Sequence, residues 1–145
     1  MCIRDRYKAY FGQKDAQQLR VIRKMVNDLD MPVEIVPCPT VREPDGLAMS
    51  SRNTYLTPEQ RAAAPVLYKS LLMANEMWQT GDHDAATLKK AMTRLIETEP
   101  LAEIDYISIA DADTLQEVDG SRSSVLISMA VRFGTTRLID NIVLE

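Results

Sequence analysis

Four consecutive polar side chains, Ser50-Ser51-Arg52-Asn53, close the stretch DGLAMSSRN at 45–53. Two hydroxyls, a guanidinium and an amide in a row give the donor density that a polyphosphate needs. Arginine adds a planar fork that pairs bidentately with phosphate oxygens and keeps its charge. The stretch opens on Pro44-Asp45-Gly46, which presets one backbone angle and frees the next. The same residue types also suit a plain polar turn leading into a helix, because Ser and Asn bond nearby backbone. On the stretch alone the polar turn is the better reading. A second set, Gly12-Gln13-Lys14-Asp15, falls between the end of a strand and the start of a helix. Ligands of open α/β sheets bind at that point, and a helix N-terminus attracts anions through its free N–H groups and dipole. Lys14 would add a mobile positive charge there, or be a solvated loop lysine; Asp15 can cap the helix under either reading.

The elements that must carry these sets can be read from spacing. Residues 7–11 read as the tail of a strand. Asp15 with Gln18 three residues on has the spacing of a capping box. Leu19, Ile22, Met25, Val26 and Leu29 then recur at helical spacing, an amphipathic helix ended by Asp30-Met31-Pro32. The apolar run 33–36 between prolines reads as a buried strand, completing a parallel β-α-β unit. Residues 37–42 leave it as an extended segment. Thr57-Pro58-Glu59-Gln60 starts a helix with Ala63, Val66, Leu67, Leu71, Ala74 and Met77 on one face, running to about Trp78 with Gly81 as its stop. Trp78 and its neighbouring methionines read as core filling. A second helix from about Asp84 turns Leu88, Ala91, Met92, Leu95 and Ile96 inward and stops by Pro100. Three strands follow at 104–110, 125–131 and 137–143, the last two joined by the hairpin signal Phe133-Gly134-Thr135-Thr136. Helices followed by strands predict a small α+β domain with an antiparallel sheet.

With 145 residues the chain can bury a real core. A net charge of −4 argues against a nucleic-acid binder, which usually presents a strongly basic face. No apolar run is long enough to span a bilayer, and MCIRDR at 1–6 has charges but no apolar leader core. Cys2 and Cys38 lack metal-ligand spacing, so a reducing cytoplasm is the expectation. The single histidine, His83, reads as a solvated residue of a polar connector, and 120–124 as a polar turn.

The runs YFGQKDAQQL at 10–19, PTVREPDGLAMSSRNTYL at 39–56 and GTTRLIDN at 134–141 closely resemble the pantothenate synthetase (pantoate–β-alanine ligase) family. The resemblance implies a Rossmann-type nucleotidyltransferase domain followed by a smaller C-terminal domain. On that pattern, 1–42 is part of the ATP- and pantoate-binding domain and 43–145 the α+β domain with the phosphate clamp. The implied reaction has two steps. Pantoate carboxylate attacks the α-phosphorus of ATP to give pantoyl adenylate and pyrophosphate, and β-alanine then displaces AMP to give pantothenate. The implied ATP site comprises Gly12, Gln13, Lys14, Asp15, Val41, Met49, Ser50, Ser51 and Arg52. Of these, the 12–15 loop and Val41 hold the adenosine part, Lys14 reaches phosphate, and the 49–52 segment clamps the triphosphate. Gln18 is implied to bond pantoate. Lys14, Ser50, Ser51 and Arg52 are implied to be catalytic, with Mg2+ sharing the neutralisation of charge and no protein metal site. The implied full-length protein is a cytoplasmic homodimer acting on small molecules, with no nucleic-acid or membrane partner.

The sequence departs from the family in three places. Gln13 stands where the family has Glu; main-chain contacts survive that exchange and a carboxylate role does not. The family's H-x-G-H motif, its upstream pantoate-binding glutamine and most of its parallel sheet are not in this sequence. Residues 1–6 are also unlike the family. The chain therefore resembles the C-terminal half of such an enzyme. Two readings follow: a ligase half that needs the other segment, or a non-catalytic nucleotide-binding or structural remnant.

Overall fold

A computed structural model describes residues 7–145; the readings of 1–6 and of Cys2 fall outside the described residues. Contacts divide the chain into two compact units between Thr40 and Val41. The first holds β1 (Lys8–Gly12), α1 (Ala16–Asp28) and β2 (Glu34–Cys38). The strands pair in parallel, Lys8 against Glu34 through Gly12 against Cys38. The Asp15 carboxylate accepts from the Gln18 backbone N–H at 3.1 Å, the expected N-cap. At the other end Asp30 takes a left-handed φ of 48°. Its N–H reaches Asn27 O at 3.3 Å and that of Met31 reaches Val26 O at 3.0 Å, the paired bonds that close a helix terminus.

The predicted inward stripe of α1 is only half right. Leu19 and Val26 are buried, whereas Met25 and Leu29 are exposed by 44% and 67%. The expected buried strand 33–36 is β2, which starts one residue later, ends two residues later at Cys38, and is only half-buried. The cause is shared: the sheet of this unit has two strands, too narrow to cover a whole helical stripe or to sit under two layers.

The second unit contains a 3-10 helix (Ser51–Tyr55), α2 (Pro58–Ala63), α3 (Val66–Gln79), α4 (Ala85–Glu97), β3 (Glu103–Asp111), β4 (Val125–Phe133) and β5 (Thr136–Leu144). The strands form an antiparallel sheet in the order β3-β4-β5, with the β4–β5 hairpin closing at Phe133 against Thr136. Alternate residues Val125, Ile127, Met129, Val131 and Phe133 face Leu67, Leu71, Trp78, Leu88, Met92 and Ile96 in one core. The single helix expected over 57–78 is two. Pro65 follows Ala64 at the break, because proline has no N–H to continue the ladder and crowds the preceding turn. Thr57 and Gln60 form the full capping box, with Thr57 Oγ1 accepting from Gln60 N at 3.3 Å and Gln60 Oε1 from Thr57 N at 3.0 Å.

His83 corrects another expectation. It is half-buried, its ring stacked on Trp78 with centroids 4.2 Å apart. Its Nε2–H donates to Trp78 O at 3.0 Å. Trp78 O already accepts from Gly81 N at 3.0 Å, and the ring adds a second donor to that carbonyl while its face covers the indole. Trp78 itself is 3% exposed, core filling as expected.

Candidate functional site

Each unit carries one of the two polar sets. In the first, β1 ends at Gly12 and the chain turns through Gln13-Lys14-Asp15 into α1. Gln13 donates its backbone N–H to Cys38 O at 2.8 Å, so that donor serves the sheet. Gln13 and Lys14 are half-buried, and Gln18 is exposed on the first turn of α1. A Cβ added at Gly12 would meet nothing within 4 Å, so the main chain there borders open space.

In the second unit, residues 41–49 fold back on themselves. Glu43 N donates to Leu47 O at 2.8 Å and Met49 N to Val41 O at 2.9 Å. Asp45 Oδ1 accepts from Leu47 N at 3.2 Å, an Asx turn inside the bend. Val41 and Met49 are exposed by 65% and 51%. Ser50 then caps the 3-10 helix: its Oγ accepts from Arg52 N at 3.2 Å. Asn53 Nδ2 donates back to Ala48 O at 3.1 Å. Arg52 donates one N–H to Arg137 O, at 3.2 Å, and the rest of its fork stays on an exposed side chain with Ser51 beside it. Caps, an amide and one guanidinium bond thus hold a short row of donors in a fixed shape, as recognition of an anion requires.

Three residues that support this segment, Arg42, Asp140 and Tyr68, have no signal in their own spacing. Arg42 makes a bidentate pair with Asp140, Nη1 to Oδ2 at 2.6 Å and Nη2 to Oδ1 at 2.9 Å. Its guanidinium lies over the ring of Tyr68, 4.2 Å from the centroid. Only a pairing across the fold could reveal the Asp140 partner, since a lone carboxylate in an apolar strand reads as an outward residue.

Electrostatics at the bend are local. The Arg61 guanidinium, 2.5 Å from Asp45 Oδ2, holds the Asp45 carboxyl below its ordinary 3.8, with the Leu47 N–H acting in the same direction. A lowered folded value means stability that is present above the unfolded value and lost as pH falls through the folded one. The Arg61–Asp45 pair is therefore fully present above about pH 4 and fades below it. The side chains are 34% and 42% exposed, so the contribution is small, under about 1 kcal/mol. The melting-temperature gap between wild type and Asp45→Asn should be constant from neutral pH to about pH 5 and shrink below about pH 4. A gap that widens in acid would contradict the pairing.

Fold and site together define a mixed α/β protein: a parallel strand pair with a helix in one unit, an antiparallel three-stranded sheet under helices in the other, and a donor-rich segment in each. The sequence profile of the pantoate-beta-alanine ligase family matches residues 2–143, and the chain belongs to that family. It is 58% identical over 139 residues to the pantothenate synthetase of Roseiflexus castenholzii, covering 96% of this chain and 50% of that protein. The crystal structure of pantothenate synthetase from Thermus thermophilus matches with a TM-score of 0.87 at 46% identity, over 93% of this chain and 49% of the other. The pantoate-beta-alanine ligase of Francisella tularensis, solved in complex with beta-gamma ATP and beta-alanine, matches with a TM-score of 0.61 at 29% identity, over 93% of this chain and 42% of the other. The chain thus spans about half the length of the relatives it matches.

Proposed function

We propose that the chain is the C-terminal part of an ATP-dependent ligase that condenses pantoate with β-alanine through pantoyl adenylate, releasing pyrophosphate and then AMP. The observation that carries this is the Ser50-Ser51-Arg52 segment, fixed by its cap and by β5 with Ser51 and Arg52 exposed, in a chain of this family. In the first step a pantoate carboxylate oxygen bonds to the α-phosphorus while the bond to pyrophosphate breaks. The carboxylate is already ionised at neutral pH and needs no base. Charge builds on the departing pyrophosphate, and Arg52, Ser50, Ser51 and Lys14 act there by neutralising it. Gly12, Gln13, Asp15, Val41 and Met49 serve the rest of ATP, and Gln18 serves pantoate. In the second step the β-alanine amine attacks the acyl carbonyl and AMP leaves.

Mg2+ would arrive with the triphosphate, as this ion commonly does. Among the described residues no group of three His, Cys, Asp or Glu side chains could hold a metal. The parallel unit belongs, on this proposal, to a Rossmann-type domain, and the whole protein works as a cytoplasmic homodimer. No helix among the described residues is long and apolar enough to cross a membrane.

The test is Arg52→Ala in a complete protein made by joining residues 7–145 to the part of the Roseiflexus relative that they do not cover. Single-turnover adenylate formation should fall by roughly two orders of magnitude while pantoate affinity changes little, because Arg52 acts on charge that shifts during the step. Unchanged single-turnover adenylation would remove Arg52 from the clamp.

A further inference from the structure

The donor segment and the bend that precedes it are both tied to β5. Arg52 bonds the main chain of that strand at Arg137 O. Eight residues before the segment, Arg42 bonds its side chain at Asp140. The Arg42 guanidinium is held from three elements at once: the Asp140 carboxylate on β5, the Tyr68 ring on α3, and Gly46 O in the bend, 3.1 Å from Nη1. The Asp140 side chain is 1% exposed, and its Oδ1 also accepts from Asn141 N at 2.8 Å. Arg42 pairs across the bend with Ala48, and the Ala48 carbonyl receives the Asn53 amide. The bridge itself is made by the flanking bonds Glu43 N to Leu47 O and Met49 N to Val41 O, so directional hydrogen bonds and short stretches of main chain connect Asp140 to the donor segment.

A buried ion pair is a poor device for stability alone, since desolvation offsets its attraction and an apolar pair of similar volume often does as well or better. What an apolar pair lacks is direction. A slip of one residue at Arg42 would turn Ala48 and its neighbours to the opposite face and carry Ser50, Ser51 and Arg52 with them. We infer that Arg42 and Asp140 are positioning residues whose fork sets the register of the 41–49 bend and hence the aim of Ser50, Ser51 and Arg52. This rests on the reading of that segment as a polyphosphate clamp.

The chain itself, labelled with 15N, can be compared with R42K, R42M/D140L and R52A by thermal melting, amide hydrogen exchange and titration with tripolyphosphate. R42M/D140L should melt at or above wild type. Its Met49 and Asn53 amides, bonded to Val41 O and Ser50 O, should exchange at least about tenfold faster, and tripolyphosphate should bind at least about tenfold more weakly. R42K keeps the charge but loses the fork, and should move both readouts the same way. Wild-type exchange at Met49 and Asn53 in R42M/D140L, or in R42K should the double variant not fold, overturns the inference. R52A keeps the two failures apart: it should lose tripolyphosphate binding while exchange at Met49, in the bend that Arg42 and not Arg52 holds, stays unaltered. If wild type and R52A bind tripolyphosphate equally, the clamp reading falls, and the exchange data alone decide whether the pair positions the segment.

Discussion

Lys14→Ala, made in the joined complete protein, is expected to slow adenylate formation by roughly two to three orders of magnitude, the usual loss when one preorganised group facing developing charge is removed. The expectation comes from place and type. Lys14 is half-buried between the end of β1 and the capped N-terminus of α1, where the helix dipole already favours an anion. If Lys14 were only a solvated loop residue, its removal would cost under about half a kcal/mol and leave the kinetics alone. The two outcomes differ by a factor too large to confuse. Lys14→Arg should recover part of the rate, because a planar fork carries the charge but cannot reproduce a compact ammonium. Steady-state kinetics of the three proteins, with melts as a folding control, measure it. A folded Ala variant at wild-type rate would return Lys14 to the solvent and weaken the case for the whole 12–15 loop.

Gly46→Ala should be the most damaging small substitution in the second unit. Gly46 holds a φ of +91°, and an added Cβ would lie 2.0 Å from Cδ1 of Tyr68, the ring that carries the Arg42 guanidinium. Backbone strain at such a φ costs about 1–2 kcal/mol, and overpacking adds about 1–3 kcal/mol. Together these predict a loss of about 3 kcal/mol and a melting temperature lower by about 10–20 °C in a domain of this size. Gly81 supplies the control: its φ is +100°, but a Cβ there meets nothing within 4 Å. Gly81→Ala should therefore cost the strain alone, about 1–2 kcal/mol. Thermal melts of the two variants compare the effects, and equal losses would mean that the Tyr68 ring yields freely and does not wall the bend.

The caps and periods of this chain are legible in its residues. Asp15 and Thr57 with Gln60 cap where their spacing places them, because a cap involves only a side chain and the next turn; the helix expected from about Asp84 starts there, on an Asp84 cap. The three strands and the Phe133–Thr136 hairpin follow from short apolar runs ended by turn residues, which are local in the same way. What spacing misses is non-local or overlooked chemistry. Pro65 stands in view inside an apolar period, and its missing N–H outweighs that period. Met25 and Leu29 fit the helical stripe, but how much of a stripe is covered depends on sheet width, which spacing does not encode. His83 looks solvated because its neighbours are polar, while its partner, Trp78, lies at the end of the preceding helix. The Arg42–Asp140 pair joins residues 98 positions apart, and neither residue announces the other. For the donor segments, residue types point to a polyphosphate and the family resemblance names their roles; spacing alone leaves both as polar turns.

The most direct test of the central claim is AMP release from ATP, pantoate and β-alanine. It compares the 145-residue chain, the Roseiflexus relative, and residues 7–145 joined to the part of that relative they do not cover. The account predicts no AMP from the chain alone, whose sequence lacks the H-x-G-H histidines, and pantoate-dependent AMP from the joined protein within about tenfold of the relative, a barrier difference of about 1.4 kcal/mol. A joined protein that folds and melts like the relative but releases no AMP would contradict it.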